Sequence, residues 1–213
     1  MYYRLIIVLS LFILSSAAHA WETEYYAGFS FGNISLEKDS AEIKKTLDAS
    51  QWPGAIAEVG EPGTITKAYA GAFITKSMGV RLAYVNLGDV NLGVATGVPA
   101  GDEREFANAV LDALPNTGAG VAISLQGRFP ISDTLIIHDW AGLFFWESES
   151  KLNLSETNSA LAVVKSNSGA DFMLGGAIEY VISNQFGVRL EAERYNQDGD
   201  GVTMLGLGAA YYF

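Results

Sequence analysis

The sequence predicts an all-β protein, an eight-stranded antiparallel up-and-down barrel that crosses a membrane with its strands. Three observations predict it. Apolar residues alternate with small or polar ones through eight segments, while helical periodicity is rare after residue 20. The polar face of these segments is mostly Gly, Ala and Ser with isolated charges, which suits the narrow interior of an eight-stranded barrel. The opposite face is bulky and aromatic, as a lipid-facing surface should be, whereas a soluble barrel would carry Lys and Glu outside.

The chain has 213 residues and opens with one positive charge, Arg4, followed by an apolar run from Leu5 to Leu14 broken only by Ser10. Ala18-His19-Ala20 then supplies small residues at the positions a signal peptidase reads. The run is shorter than the ~20 residues of a membrane-spanning helix. The expected division is a signal peptide at 1–20, cleaved after Ala20, and one barrel domain at 21–213.

The first strand is Tyr25 to Asn33, with Tyr25, Ala27, Phe29 and Phe31 on the apolar face. The second, Thr66 to Ile74, sets Tyr69 and Phe73 against Ala68, Ala70 and Ala72. The third, Gly79 to Leu87, sets Val80, Leu82 and Tyr84 against Arg81 and Ala83. The fourth, Gly118 to Phe129, alternates Val121, Ile123, Leu125 and Phe129 with Ala122, Ser124, Gln126 and Arg128. The fifth, Thr134 to Trp146, has apolar residues on both faces. If Asp139 must avoid lipid, Ile136, Trp140, Phe144 and Trp146 face outward, and His138 with them. The sixth, Ala170 to Val181, sets Phe172, Leu174, Ile178 and Tyr180 against Asp171, Gly175 and Glu179. The seventh, Phe186 to Tyr195, sets Phe186, Val188, Leu190 and Ala192 against Arg189, Glu191 and Glu193. The eighth, Val202 to Phe213, sets Leu205, Leu207, Ala209, Tyr211 and Phe213 against Met204, Gly206, Gly208 and Ala210.

Connections near 75–77, 130–133 and 183–185 are short. The alternating ones, 34–65, 88–117 and 147–169, are long, and 196–201 is brief. Short turns on one side and longer loops on the other is the pattern of bacterial outer-membrane barrels, with both termini on the periplasmic side. Tyr25, Phe73, Phe129, Tyr180, Phe186 and Tyr211 fall at the short-turn ends and are expected to form an interfacial girdle. Phe31, Tyr84, Phe144, Trp146 and Phe172 belong nearer the other rim. Two short helices are expected in the long loops, over Ala41 to Ala49 and Glu103 to Leu114, either capping the barrel mouth or remaining mobile.

The stretches Gly79-Val80-Arg81-Leu82-Ala83-Tyr84-Val85-Asn86-Leu87-Gly88 and Asn184-Gln185-Phe186-Gly187-Val188-Arg189-Leu190-Glu191-Ala192-Glu193-Arg194-Tyr195 resemble the OmpA-like transmembrane-barrel family. The fifth-strand ending Gly142-Leu143-Phe144-Phe145-Trp146-Glu147 is similar. Gly208, Tyr211 and Phe213 resemble the C-terminal signal that such barrels present to the barrel assembly machinery. The resemblance covers the strands but not the long loops. Many members carry a periplasmic peptidoglycan-binding domain after the barrel; this sequence stops at Phe213, so that function does not carry over.

Parity places Arg81, Arg128, Asp139, Asp171, Glu179, Arg189, Glu191 and Glu193 in the lumen. Charges there must pair, so a side-chain network that plugs the interior is expected. With 24 acids against 13 bases the formal net charge is −11, which argues against nucleic acid as a partner. There is no Cys, hence no thiol site or disulfide. No catalytic constellation, metal site or cofactor is expected. His138 is followed by Asp139-Trp140, not by the His-x-Ser pair of lipid A deacylases. Asp198-Gly199-Asp200-Gly201 is too short for a calcium loop and reads as a tight turn. The expected function is a non-enzymatic outer-membrane role in envelope integrity or surface interaction. Its partners would be membrane lipids and lipopolysaccharide, with a ligand at loops 34–65 and 88–117. A small porin-like channel is the alternative, and a lipid A-modifying enzyme the third reading.

Overall fold

The computed structural model describes residues 23–37, 40–49, 56–59, 63–88, 92–95, 102–115, 117–156 and 159–213. The expected signal peptide lies outside them. Eight strands close into a barrel: β1 (Glu24–Leu36), β3 (Thr64–Phe73), β4 (Met78–Asn86), β6 (Ala119–Pro130), β7 (Leu135–Glu156), β8 (Ser159–Ser183), β9 (Phe186–Gln197) and β10 (Asp200–Tyr212). Each pairs antiparallel with the barrel strands before and after it, and β1 closes the ring by pairing with β10, Tyr26 opposite Tyr212 and Leu36 opposite Val202. Closure leaves no edge strand, so every strand's backbone polar groups find partners within the sheet, as a bilayer core demands. No described helix is long and apolar enough to cross a membrane.

The strands are two-faced. Leu82, Ile123, Leu125, Leu143, Leu174, Ile178, Leu190, Leu205 and Leu207 are exposed on the outer surface, while the alternate positions are buried. That outer belt is an apolar surface far too continuous for water, and the bilayer is the solvent that covers it. Bends at Ile74–Ser77 and 131–134 and a turn at 184–185 close one end. At the other, Asp198 and Gly199 both hold positive φ (53° and 87°), the geometry of a two-residue hairpin turn that Asp-Gly favours.

Two strands depart from the expected facing. On β3 the odd positions Ile65, Lys67, Tyr69 and Phe73 point inward, and Ala68 and Ala70 face lipid. Phe73 is therefore in the lumen, 1 % exposed, and does not belong to the aromatic girdle. The cause is Lys67, which shares that parity and could not be left in hydrocarbon. On β7 the even positions His138, Trp140, Phe144 and Trp146 are buried, and Ile137, Leu143 and Phe145 face out. Asp139 is accordingly exposed on the outer surface, four residues into the strand from its short-turn end. Three buried aromatics weigh more than one carboxylate close to the interface, where a lipid-facing charge costs little.

The segment 147–169 is expected to be a loop, but its described residues, 147–156 and 159–169, continue the β7–β8 hairpin, paired in register from Glu147–Ser168 to Glu156–Ser159. A tilted strand crosses a bilayer in about 9–11 residues, whereas β7 has 22 and β8 has 25. About half of each therefore stands beyond the membrane. The other long connections contribute β2 (Ile56–Val59), which pairs with β5 (Leu92–Ala95), and two helices, α1 (Ser40–Ala49) and α2 (Glu103–Ala113). Both helices fall where the sequence pattern puts them. Ile43 and Leu47 of α1 and Phe106, Val110 and Leu111 of α2 form a second apolar core with Leu152 and Val163 of the hairpin. Leu114, the last residue before Pro115, turns extended and ends α2.

Candidate functional site: a charged lumen beneath a helix-backed hairpin

The lumen is filled in layers. Midway along the barrel, Lys67 bridges two carboxylates. Its Nζ pairs with Glu191 and lies 2.8 Å from Glu193 Oε1. Arg81 Nη1 donates to the same Glu193 oxygen at 3.0 Å, and the Tyr195 hydroxyl donates to the other. The Arg81 guanidinium lies 4.2 Å from the centre of the Trp140 ring and 4.8 Å from that of Tyr69. These aromatic faces hold the part of the guanidinium that has no acceptor.

Towards the short-turn end is a second cluster. Arg189 Nε donates to Glu179 at 2.6 Å and Arg189 Nη2 to the Tyr212 hydroxyl at 2.8 Å. Tyr212 in turn donates to Glu179. His138 Nε2 is 3.0 Å from Glu179 Oε2, with both side chains fully buried. Tyr26 donates to Gln126 and its ring packs on Tyr69, Phe73 and Tyr212. Gly28 and Gly71 make this possible. A Cβ at either would run into the Tyr69 or Tyr26 ring. At the rim Arg128 pairs with Glu24 and lies 4.0 Å from the centre of the Phe73 ring.

In the two clusters three cations, Lys67, Arg81 and Arg189, meet three carboxylates, Glu179, Glu191 and Glu193, so the buried charge cancels. Compensation of this kind is the condition for burying ions at all.

Of the residues the sequence assigns to the lumen, Arg81, Glu191 and Glu193 meet in the midway cluster and Glu179 and Arg189 in the one towards the short-turn end, all five buried. Arg128 stands at the rim, and Asp171, half-buried, accepts from Trp146 Nε1 at 2.7 Å and from the Asp198 backbone N–H at 3.2 Å. Asp139 is the exception, on the outer face. Sequence parity missed Lys67, Tyr26, Trp140, Tyr195 and Tyr212 as members of the network. Lys67 was discoverable as the one charged residue in its strand. The tyrosines were not, because a tyrosine fits a lipid interface as readily as a lumen. Tyr25, Phe129, Tyr180, Phe186 and Tyr211 are exposed at the short-turn end, as is Phe213.

Above the lumen, α2 packs on the inward face of the projecting hairpin. Leu152 and Val163, opposite each other in register, meet it, and Lys165 bonds Asp112 at 2.5 Å. Among the described residues no group of three or more His, Asp or Glu is arranged to hold a metal ion.

A closed, lipid-belted eight-stranded barrel whose interior is crossed by buried ion pairs defines a small membrane-spanning barrel protein. The chain matches the outer membrane protein beta-barrel domain family over residues 5–213 and belongs to it. It is a protein of the Gram-negative outer membrane. Outer membrane protein A of Klebsiella pneumoniae is 28% identical over 102 residues, which cover 44% of this chain and 29% of that protein. The corresponding protein of Escherichia coli O157:H7 is 29% identical over 102 residues, covering 44% and 28%. The chain thus spans less than a third of these relatives' length. Among solved structures, Ail of Yersinia pestis superposes with a TM-score of 0.47 at 12% identity, covering 90% of this chain and 97% of that one. The N-terminal β-barrel domain of Pseudomonas aeruginosa OprF gives 0.48 at 14%, covering 89% and 97%.

Proposed function

We propose that the protein is a non-enzymatic, non-conducting scaffold of the outer membrane that holds an extracellular interaction platform. The observation that carries this reading is the packing of α2 on the projecting β7–β8 hairpin, with α1 packed against α2. A barrel that served only to span the bilayer would have no use for a second apolar core outside it. The platform is built from parts of the loops 34–65 and 88–117 together with the hairpin, so the ligand surface is a composite and not a pair of free loops.

The filled lumen supports the same reading against a porin-like channel, since an interior of eight strands is just wide enough for side chains. His138 supports it against a lipid A-modifying enzyme, because the imidazole is enclosed in the barrel beside Glu179 and out of reach of an acyl chain. The outward aromatics Tyr211 and Phe213, packed edge to face at 5.1 Å, with Gly208 on the same strand, would serve as the signal to the barrel assembly machinery. Lipopolysaccharide would surround the projecting half.

The test is adherence of cells producing the protein to epithelial monolayers and to one another. L152D, which puts a charge into the platform core, should lower adherence while the barrel keeps its heat-modifiable gel mobility. Adherence equal with and without the protein, accompanied by detergent sensitivity in cells lacking it, would move the function to envelope integrity.

A further inference from the structure

One titratable group in the lumen stands outside its charge balance. His138 is buried, with 1 % of its surface exposed. Its Nε2 lies 3.0 Å from Glu179 Oε2, but that oxygen already accepts from Arg189 Nε at 2.6 Å, and Tyr212 donates to the same carboxylate. Nδ1 has no hydrogen-bond partner among the described residues. A second proton on the ring would therefore create a buried N–H without an acceptor and a cation without a carboxylate of its own.

The strands around the imidazole present a fixed set of charges. β6 places Arg128 directly opposite His138 in register, and β9 contributes Arg189. β8 contributes Glu179, β10 Tyr212, and β1 Glu24 and Tyr26. β3 adds only the Phe73 ring, 6.1 Å from the imidazole centre, and β4 only Gly79, opposite Phe73. Asp139, next to it on β7, faces out of the barrel. Two cations thus meet two carboxylates, Arg189 with Glu179 and Arg128 with Glu24. An uncharged imidazole leaves that count even; an imidazolium puts it one positive charge in excess, between two arginines.

The same ion pairs hold the strands at the closure of the ring. Arg128–Glu24 joins β6 to β1, and Glu179–Tyr212 joins β8 to β10, with Tyr212 opposite Tyr26 where β10 meets β1. Protons have a way in at this end, because the Arg128 and Glu24 side chains are 16 % and 36 % exposed.

We infer that His138 is an acid-sensitive latch on the short-turn end of the barrel. Uncharged, it lets the Arg189–Glu179–Tyr212 and Arg128–Glu24 ties close; protonated, it repels both arginines and loosens the hold on β1 and β10. The sequence has one other histidine, His19, within the expected signal peptide, so after cleavage His138 is the one side chain whose ordinary range centres on about pH 6.5. Stability that rests on an uncharged imidazole is full above that range and is lost as the pH falls through it.

The test is urea unfolding of the mature protein, without a histidine tag, in lipid vesicles at pH 7.5 and 5.5, an interval above the ordinary carboxylate range. The midpoint of the unsubstituted protein should fall by roughly 0.5–1 M on acidification. In H138Q, and in H138F, which keeps a flat ring beside Phe73, the two midpoints should agree within about 0.2 M. A midpoint that does not move in the unsubstituted protein, or one that falls as far in the variants, would overturn the inference. The readout is the difference between two pH values within one variant, so a general loss of stability on substitution does not affect it, and either variant alone completes the comparison.

Discussion

Lys67 and Glu193 meet across the barrel interior at 2.8 Å, and neither side chain touches solvent. Lys67 comes from β3 and Glu193 from β9, three places away around the ring, so the contact ties non-adjacent strands together across the interior. It also neutralises Glu191.

Removing that cation leaves two carboxylates sharing the charge of Arg81 alone. Breaking a buried pair costs about 3–5 kcal/mol, because the remaining charge is uncompensated. K67M should therefore lower stability in urea by that amount, and adding E191Q should restore part of the loss. A K67M barrel that unfolds at the same urea concentration as the parent would mean the pair is not buried in the membrane-embedded state.

The facing of β3 can be checked in the same assay. Ala70 looks into lipid near the midplane, opposite Leu82, as Leu207 does on β10. A70R and L207R should each cost about 2–4 kcal/mol. Were Ala70 directed inward, arginine would instead clash with the packed lumen and block refolding altogether.

Asp139 separates the two possible parities of β7. On the outer face near the short-turn end, D139L should change stability by less than about 1 kcal/mol. As a member of the lumen network, its loss would leave a cation unpaired and cost several times more. Equilibrium unfolding of D139L in vesicles distinguishes these outcomes.

The platform should come apart without the barrel. Phe106 is 2 % exposed in the extracellular core, and truncating such a ring costs about 3–5 kcal/mol locally. On intact cells F106A should make the 102–115 segment sensitive to protease while gel mobility of the barrel domain is unchanged. Equal protease resistance would mean that α2 is held by something other than its apolar face.

The strands were legible because alternation is imposed by the pleat, and lipid on one side and a narrow lumen on the other sharpen it. Parity failed where both faces are apolar or aromatic. On β3 the bulky Tyr69 and Phe73 looked like lipid contacts, yet a lumen of this size also needs large rings to fill it, and Lys67 settled which face they share. On β7 Asp139 gave the wrong sign, since one carboxylate near an interface is a weak constraint beside Trp140, Phe144 and Trp146. The helices α1 and α2 were readable from the spacing of Ile43 with Leu47 and of Phe106 with Val110. The outer half of the hairpin was not, because its partner across the platform core lies some fifty residues away in α2. The ion pairs needed both facings and the register, so Lys67 with Glu193 could not be drawn from spacing alone.

The measurement that bears most directly on a sealed scaffold is single-channel recording of the purified protein in planar bilayers. A lumen closed by Lys67, Arg81, Glu191 and Glu193 should give no discrete conductance steps at any moderate voltage. Stable, uniform steps whose size changes in E193Q would contradict it and make the interior an ion path.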